Sequence, residues 1–201
     1  WLYVTVACVV FYDAFYYTVY IDNTAEARSV VEYLSSLGHR RIGGGVGPDE
    51  DANPNPITRD RLVGYHQARE SSGIEFDQQL IASGNFSLGS GLEAAQYFAQ
   101  LDTKPTAIFC MNDEMAIGLI QGLKAKGLRV PKDVSVTGFD DIEFSNYCDP
   151  ALTQISQHAE KIGRTAMHVL YKLLEGESTS QMRHVLPTKL VVRESTAPPA
   201  K

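Results

Sequence analysis

Short apolar runs alternate along this chain with longer segments whose apolar residues recur every three or four positions. The short runs are Thr18–Ile21, Arg41–Val46, Gln79–Ser83, Thr106–Cys110, Val134–Gly138, Thr153–Ser156 and His184–Val192, and they read as strands. Between them, Ala25–Leu37 sets Ala27, Val30, Val31 and Leu34 on one helical face. Arg59–Ser71 does the same with Leu62, Tyr65 and Ala68, with Thr58 as the expected cap. A third helix runs from Ser87 or Gly89 to Leu101, a fourth from Asp113 to Lys126, and a fifth from His158 to Leu174. Gly38, Gly127 and Gly176 supply the stops. Gly43, Gly44 and Gly45 weaken the second strand, and Pro187 interrupts the last. The proline-containing tail from Ala197 is expected to fray.

Strict alternation of strand and helix predicts an α/β fold with a parallel sheet. The clearest unit is Thr106–Asp141, which reads strand, helix, strand. Its connection makes the two strands parallel, so both end on one sheet edge. Asn112, Asp113, Asp140 and Asp141 lie just past those ends, where open α/β sheets bind ligands.

Composition narrows the classes. The chain has 201 residues, 44% hydrophobic and 21% charged, which suits one α/β domain or two small lobes. A net charge of −6 argues against a large nucleic-acid footprint within this segment. Three cysteines without metal or disulfide spacing suit a reducing cytosol. No apolar run has the length of a membrane span. The aromatic, core-like opening from Trp1 lacks a basic n-region and a cleavage site, so a fragment is expected rather than a signal peptide.

The glycine run Gly43–Gly47 lacks dinucleotide and P-loop spacing, and Asp49, Glu50 and Asp51 follow it, so no nucleotide cofactor is expected. Asp113 and Asp141 read as capping or turn carboxylates rather than metal ligands, because no histidine lies near them in sequence. Asp140 differs: at a strand end after Gly138–Phe139, its carboxylate can accept bonds from the two hydroxyls of a sugar diol. Arg61 lies one turn into its helix beside a Gly/Pro/Asn/Asp-rich loop, placed equally well for a surface role or a ligand contact. Phe86, directly after a strand, offers either core packing or a flat face for a ring. The five histidines are scattered, and neither Ser145 nor Cys148 sits in a nucleophile-elbow context, so an enzyme is not expected.

Taken in order, IDNTAEARSVVEYLSSLGHRRIG, RDRLVGYHQARESSGI, PTAIFCMNDEMAIGLIQGLKAKGLRVPKDVSVTGFDD and LTQISQHAEKIGRTAMHVLYKLLEG resemble the effector-binding domain of the lac/galactose repressor family. The resemblance spans residues 18–196, and GFDDIEFSNYCDPALTQI is most similar to the cytidine-responsive branch. It implies a type I periplasmic-binding-protein fold: two Rossmann-like lobes with parallel sheets, the N-terminal lobe incomplete here. Residues 1–23 and 159–186 would form the partial N-terminal lobe, and 24–158 with 187–198 the C-terminal lobe. The family's helix-turn-helix has no counterpart in this chain. Family binding positions carry over to Arg61, Phe86, Asn112 and Asp140, and an N-lobe contact to Asp13. Residues 1–17, the Gly43–Gly45 run and His158, which stands where proline is common, depart from the family pattern.

The function implied is that of a cytoplasmic transcriptional repressor's effector and dimerisation module, with a nucleoside such as cytidine in the inter-lobe cleft. A free sugar is the alternative ligand. A periplasmic solute-binding protein is the alternative class, and a nucleoside-processing enzyme a third. Operator DNA would be reached through the missing N-terminal domain. A homodimer is expected because Met115, Ala116, Ile117, Leu119, Ile120 and Leu123 give the fourth helix more apolar surface than one sheet contact requires. The acidic edge formed by Asp49, Glu50, Asp51, Asp113 and Asp141 argues against a phosphorylated ligand.

Overall fold

A computed structural model describes residues 17–47, 55–177 and 182–200. Their elements run β1 (Thr18–Tyr20), α1 (Asn23–Ser36), β2 (Ile42–Val46), α2 (Pro56–Ser71), β3 (Ile81–Ser83) and α3 (Leu88–Gln100). They continue through β4 (Ala107–Cys110), α4 (Asp113–Ala125), β5 (Ser135–Asp140), β6 (Thr153–Ser156), α5 (Ala159–Leu174), β7 (Arg183–Val185) and β8 (Lys189–Val191). The chain divides into two compact units, one of Trp1–Asp22 with Ser156–Lys189 and one of Asn23–Ile155 with Leu190–Lys201. In the smaller, β1 pairs in parallel with β7, Thr18 opposite Arg183.

The larger unit is built on a six-stranded sheet in the order β3-β2-β4-β5-β6-β8. The pairs β2–β3, β2–β4 and β4–β5 are parallel, as the alternating pattern predicts. Phe98 of α3 lies against Gly43, and Tyr65 of α2 against its neighbour Gly44. Successive strand residues face opposite sides, so α2 and α3 cover opposite faces and the sheet is doubly wound. The glycines that weaken β2 in isolation make room for these two rings, and Tyr65 also donates its hydroxyl to the Ile42 carbonyl at 2.7 Å.

The strand order contains the decisive feature. From β2 the chain steps through α2 to β3 on one side, then through α3 to β4 on the other side of β2. The connections therefore diverge between β2 and β4, and a crevice opens at their carboxyl ends.

Several expectations change. Asn55, not Thr58, caps α2: its side chain accepts from the Ile57 N–H, and Pro56 opens the helix. The expected Gln79–Ser83 strand begins as a short 3-10 turn, Gln78–Leu80, before β3. The expected His184–Val192 strand is two strands in separate sheets, β7 beside β1 and β8 beside β6, with Pro187 between them. The tail is pinned at its start, where Ala197 donates to the Ser135 hydroxyl and accepts from it at 3.0 Å each way, and its carbonyl lies 2.9 Å from His39 Nε2.

The apolar face of α4 does not call for a dimer partner. Met115, Ala116, Ile117, Leu119, Ile120 and Leu123 are all buried within the chain. Helix α3 covers the surface left over by the sheet, because Gly91 and Gly118 carry no β-carbon and let the two backbones touch.

Candidate effector-binding site

Four loops from the carboxyl edge of the sheet meet at the crevice between β2 and β4. Gly47 closes β2, Phe86 follows β3, Met111 and Asn112 follow β4, and Asp140 ends β5. The Gly47 N–H points at Met111 Sδ, 3.3 Å away. The Phe86 ring sits directly on Gly47, where a β-carbon would overlap its edge.

Arg61, in the second turn of α2, is the hub. It is only 4% exposed, so its charge must be satisfied inside the protein. Its Nε donates to Asn23 Oδ1 at 2.8 Å, and its Nη1 donates to the Met111 carbonyl. Its guanidinium carbon stacks 3.6 Å above the Phe139 ring centroid. Its Nη2 lies 3.6 Å from Asp140 Oδ1, a loose ion pair with a partly exposed carboxylate. Asn23 reaches Arg61 because Gly64 of α2 packs on the Thr24 carbonyl at the start of α1.

Asn112 works at both ends of its amide. Its oxygen accepts from the Met115 N–H at 3.0 Å, capping α4, and its nitrogen donates to the Phe86 carbonyl at 2.7 Å. That second bond anchors Phe86 in a left-handed backbone, φ 64°. One amide N–H of Asn112 is left over for other bonding.

The carboxylates at this edge have distinct settings. Asp113 is wholly buried and accepts the Ile142 N–H at 2.9 Å. Burial first, and then the neighbouring Asp140 charge, push its carboxyl up to about 7 despite the N–H groups of Ile142, Phe139 and Asp141. Asp141 takes Arg193 Nη2 at 2.9 Å and Gln154 Nε2 at 2.6 Å. The electrostatic case against a phosphate is therefore weaker than expected: Asp141 is paired with a cation, and Asp113 is only partly ionised near neutrality. Asp49, Glu50 and Asp51 lie outside the described residues, as does Asp13.

The structure thus brings Arg61, Phe86, Asn112 and Asp140 together. Asn23, Phe139 and Gly47 complete the site and were not singled out by sequence reasoning. A carboxylate beside a buried guanidinium, next to a half-buried aromatic ring, suits a small polar ligand with hydroxyl donors and a flat or apolar face.

A periplasmic binding protein-like domain model matches residues 31–196. The chain belongs to this domain family, in the LacI branch of transcriptional regulators. It is 41% identical to the transcriptional repressor CytR of Escherichia coli K12 over 179 residues, 89% of this chain and 51% of that protein. A CelR–cellobiose complex superposes with a TM-score of 0.80 at 35% identity, covering 88% of this chain and 53% of the other. A LacI family regulator from Enterococcus faecium with bound ribose gives 0.84 at 29% identity, covering 94% and 68%. The chain spans about half the length of the curated relatives it matches. These relatives are transcriptional regulators rather than enzymes or transport proteins. No helix among the described residues is long and apolar enough to cross a membrane.

Proposed function

We propose that this chain is the effector-binding and dimerisation part of a cytoplasmic transcriptional repressor, and that its ligand is a nucleoside, cytidine first. The observation that carries the ligand class is the partly exposed Asp140 carboxylate held beside Arg61 at the β2–β4 crevice. A carboxylate accepts from both hydroxyls of a ribose diol, and Phe86 beside it supplies a surface for a planar base. Arg61 and the remaining N–H of Asn112 would hold polar atoms of sugar or base. The likeness to CytR supports the nucleoside, and the ribose held by a structural neighbour supports diol recognition. A free sugar is the second reading, favoured by the cellobiose complex of another neighbour.

In this proposal the larger unit is the C-terminal lobe and the smaller one part of the N-terminal lobe. The whole protein acts as a homodimer, and ligand binding changes its grip on operator DNA, contacted through a helix-turn-helix outside this chain. Calorimetry on the full-length protein tests the ligand. Asp140→Asn keeps the shape but removes charge-assisted bonds, each worth roughly 1.5–3 kcal/mol, so cytidine binding should weaken at least about tenfold. Binding of a hexose with no response to nucleosides would replace the first reading by the second. Sedimentation of the same protein at micromolar concentration tests the dimer.

A further inference from the structure

Asp140 and Asp141 both have positive φ, 131° and 64°, in a chain that could have used glycine there. Such conformations are unfavourable for residues with a β-carbon and persist only where the surroundings impose them. Here the imposing contacts fall on Asp141, the residue after the proposed ligand carboxylate. Arg193, just past β8, donates Nη2 to Asp141 Oδ1 at 2.9 Å, and its Nη1 is fixed on the Leu152 carbonyl at 2.8 Å. Gln154 of β6, wholly buried, donates Nε2 to the same Asp141 oxygen and to the Ser145 hydroxyl, 2.6 Å each. Ser145 in turn donates its hydroxyl hydrogen bond to the Ile142 carbonyl at 2.6 Å, and the Ile142 N–H donates to Asp113. The turn that follows Asp140 is therefore tied down at three successive points.

We infer that Arg193 and Gln154 are positioning residues for the ligand site: by holding the Asp141 carboxylate they keep the Asp140–Asp141 backbone left-handed and so aim the Asp140 carboxylate at the crevice beside Arg61. Neither residue is placed to touch ligand; both act through Asp141. Because two donors converge on one carboxylate oxygen, loss of either weakens the clamp without emptying it. This inference rests on the reading of Asp140 as a ligand contact.

The test exploits the backbone. Glycine adopts a positive φ without cost, whereas alanine resists it. In calorimetry on the full-length protein with cytidine, Asp141→Ala should weaken binding about tenfold and Arg193→Met, which leaves Gln154 in place, about threefold, while Asp141→Gly should retain more affinity than Asp141→Ala. Arg193→Met added to Asp141→Gly should cost little more, because nothing is left to clamp. Arg193→Lys, which keeps one donor, should fall between Arg193→Met and the parent. A purely stabilising ion pair would lower the melting temperature of these variants without producing the glycine-over-alanine order. Parent-like affinity of folded Arg193→Met, or equal losses for glycine and alanine, would overturn the inference. If the parent itself ignores cytidine, the ligand reading fails, and amide hydrogen exchange then decides the clamp alone. Faster exchange at Asp141 and Ile142 in Arg193→Met upholds it, and unchanged exchange rejects it.

Discussion

The guanidinium carbon of Arg61 lies over the Phe139 ring, 3.6 Å from its centroid, while the next residue along, Asp140, faces the same guanidinium at 3.6 Å. One strand end thus supplies both an aromatic floor and a counter-charge. A planar, forked cation fits that setting and an ammonium does not, because only the fork reaches Asn23, Met111 and Asp140 together. Arg61→Lys should therefore lower unfolding stability by about 2 kcal/mol through lost charged hydrogen bonds, besides weakening ligand binding. Urea denaturation of parent and variant checks this. An unchanged midpoint would mean that Arg61 is not an internal strut.

Helix α3 meets α4 so closely that β-carbons at Gly91 and Gly118 would overlap the carbonyls of Met115 and Leu88. In an isolated helix, glycine to alanine stabilises by roughly 1 kcal/mol. Here the sign should reverse: Gly91→Ala and Gly118→Ala should each destabilise by about 1–3 kcal/mol, because backbone must move apart to admit a methyl group. Gly163 of α5 is the control, with nothing near its would-be β-carbon, and Gly163→Ala should stabilise. Thermal melts of the three variants decide the matter by the sign alone.

Asp113 makes stability depend on pH. Its folded carboxyl sits near 7 against an ordinary value of 3.8, so between these values the folded state binds more protons than the unfolded one. Stability from this group is highest at low pH, declines as pH rises from about 4 to about 7, and is fully lost above that. Asp113→Asn keeps an acceptor for the Ile142 N–H but cannot ionise. Its melting temperature should gain on the parent's across that window and hold a constant lead beyond it. A lead that is the same at pH 4.5 and pH 8 would reject the account.

What the sequence revealed and what it hid divide along contact range. The β4–α4–β5 unit was legible because its signals are local: Asn112 caps three residues ahead, and Gly127 supplies the left-handed stop at φ 79°. The start of α2 is ambiguous in sequence: Asn55–Pro56 carries the signal, but Thr58 offers a competing cap of the same chemistry. Phe86, Asn112 and Asp140 are legible from strand ends, Arg61 from its helix beside the binding-edge loop, and all four from family resemblance. Their supports stayed hidden: Asn23 is 38 residues from Arg61, and Arg193 is 52 from Asp141. No periodicity or motif encodes such a pair, since it exists only after the sheet order is set.

Gly47 offers the sharpest check on Phe86. The glycine ends β2 directly beneath the ring, and a β-carbon there would overlap the ring edge and crowd the Thr58 hydroxyl. Phe86 cannot sink to relieve this, because Gly47 is itself buried and its N–H is turned to Met111. Nor can its backbone slide freely, since Asn112 holds the Phe86 carbonyl. The ring must tilt outward, toward the space where a stacked base would lie. Gly47→Ala should then weaken cytidine binding about tenfold, with a smaller loss for free ribose, which presents no base to the ring. Competition calorimetry with the two ligands measures the ratio. Equal losses for both would assign the Gly47–Phe86 contact to packing alone and remove Phe86 from the base-binding surface.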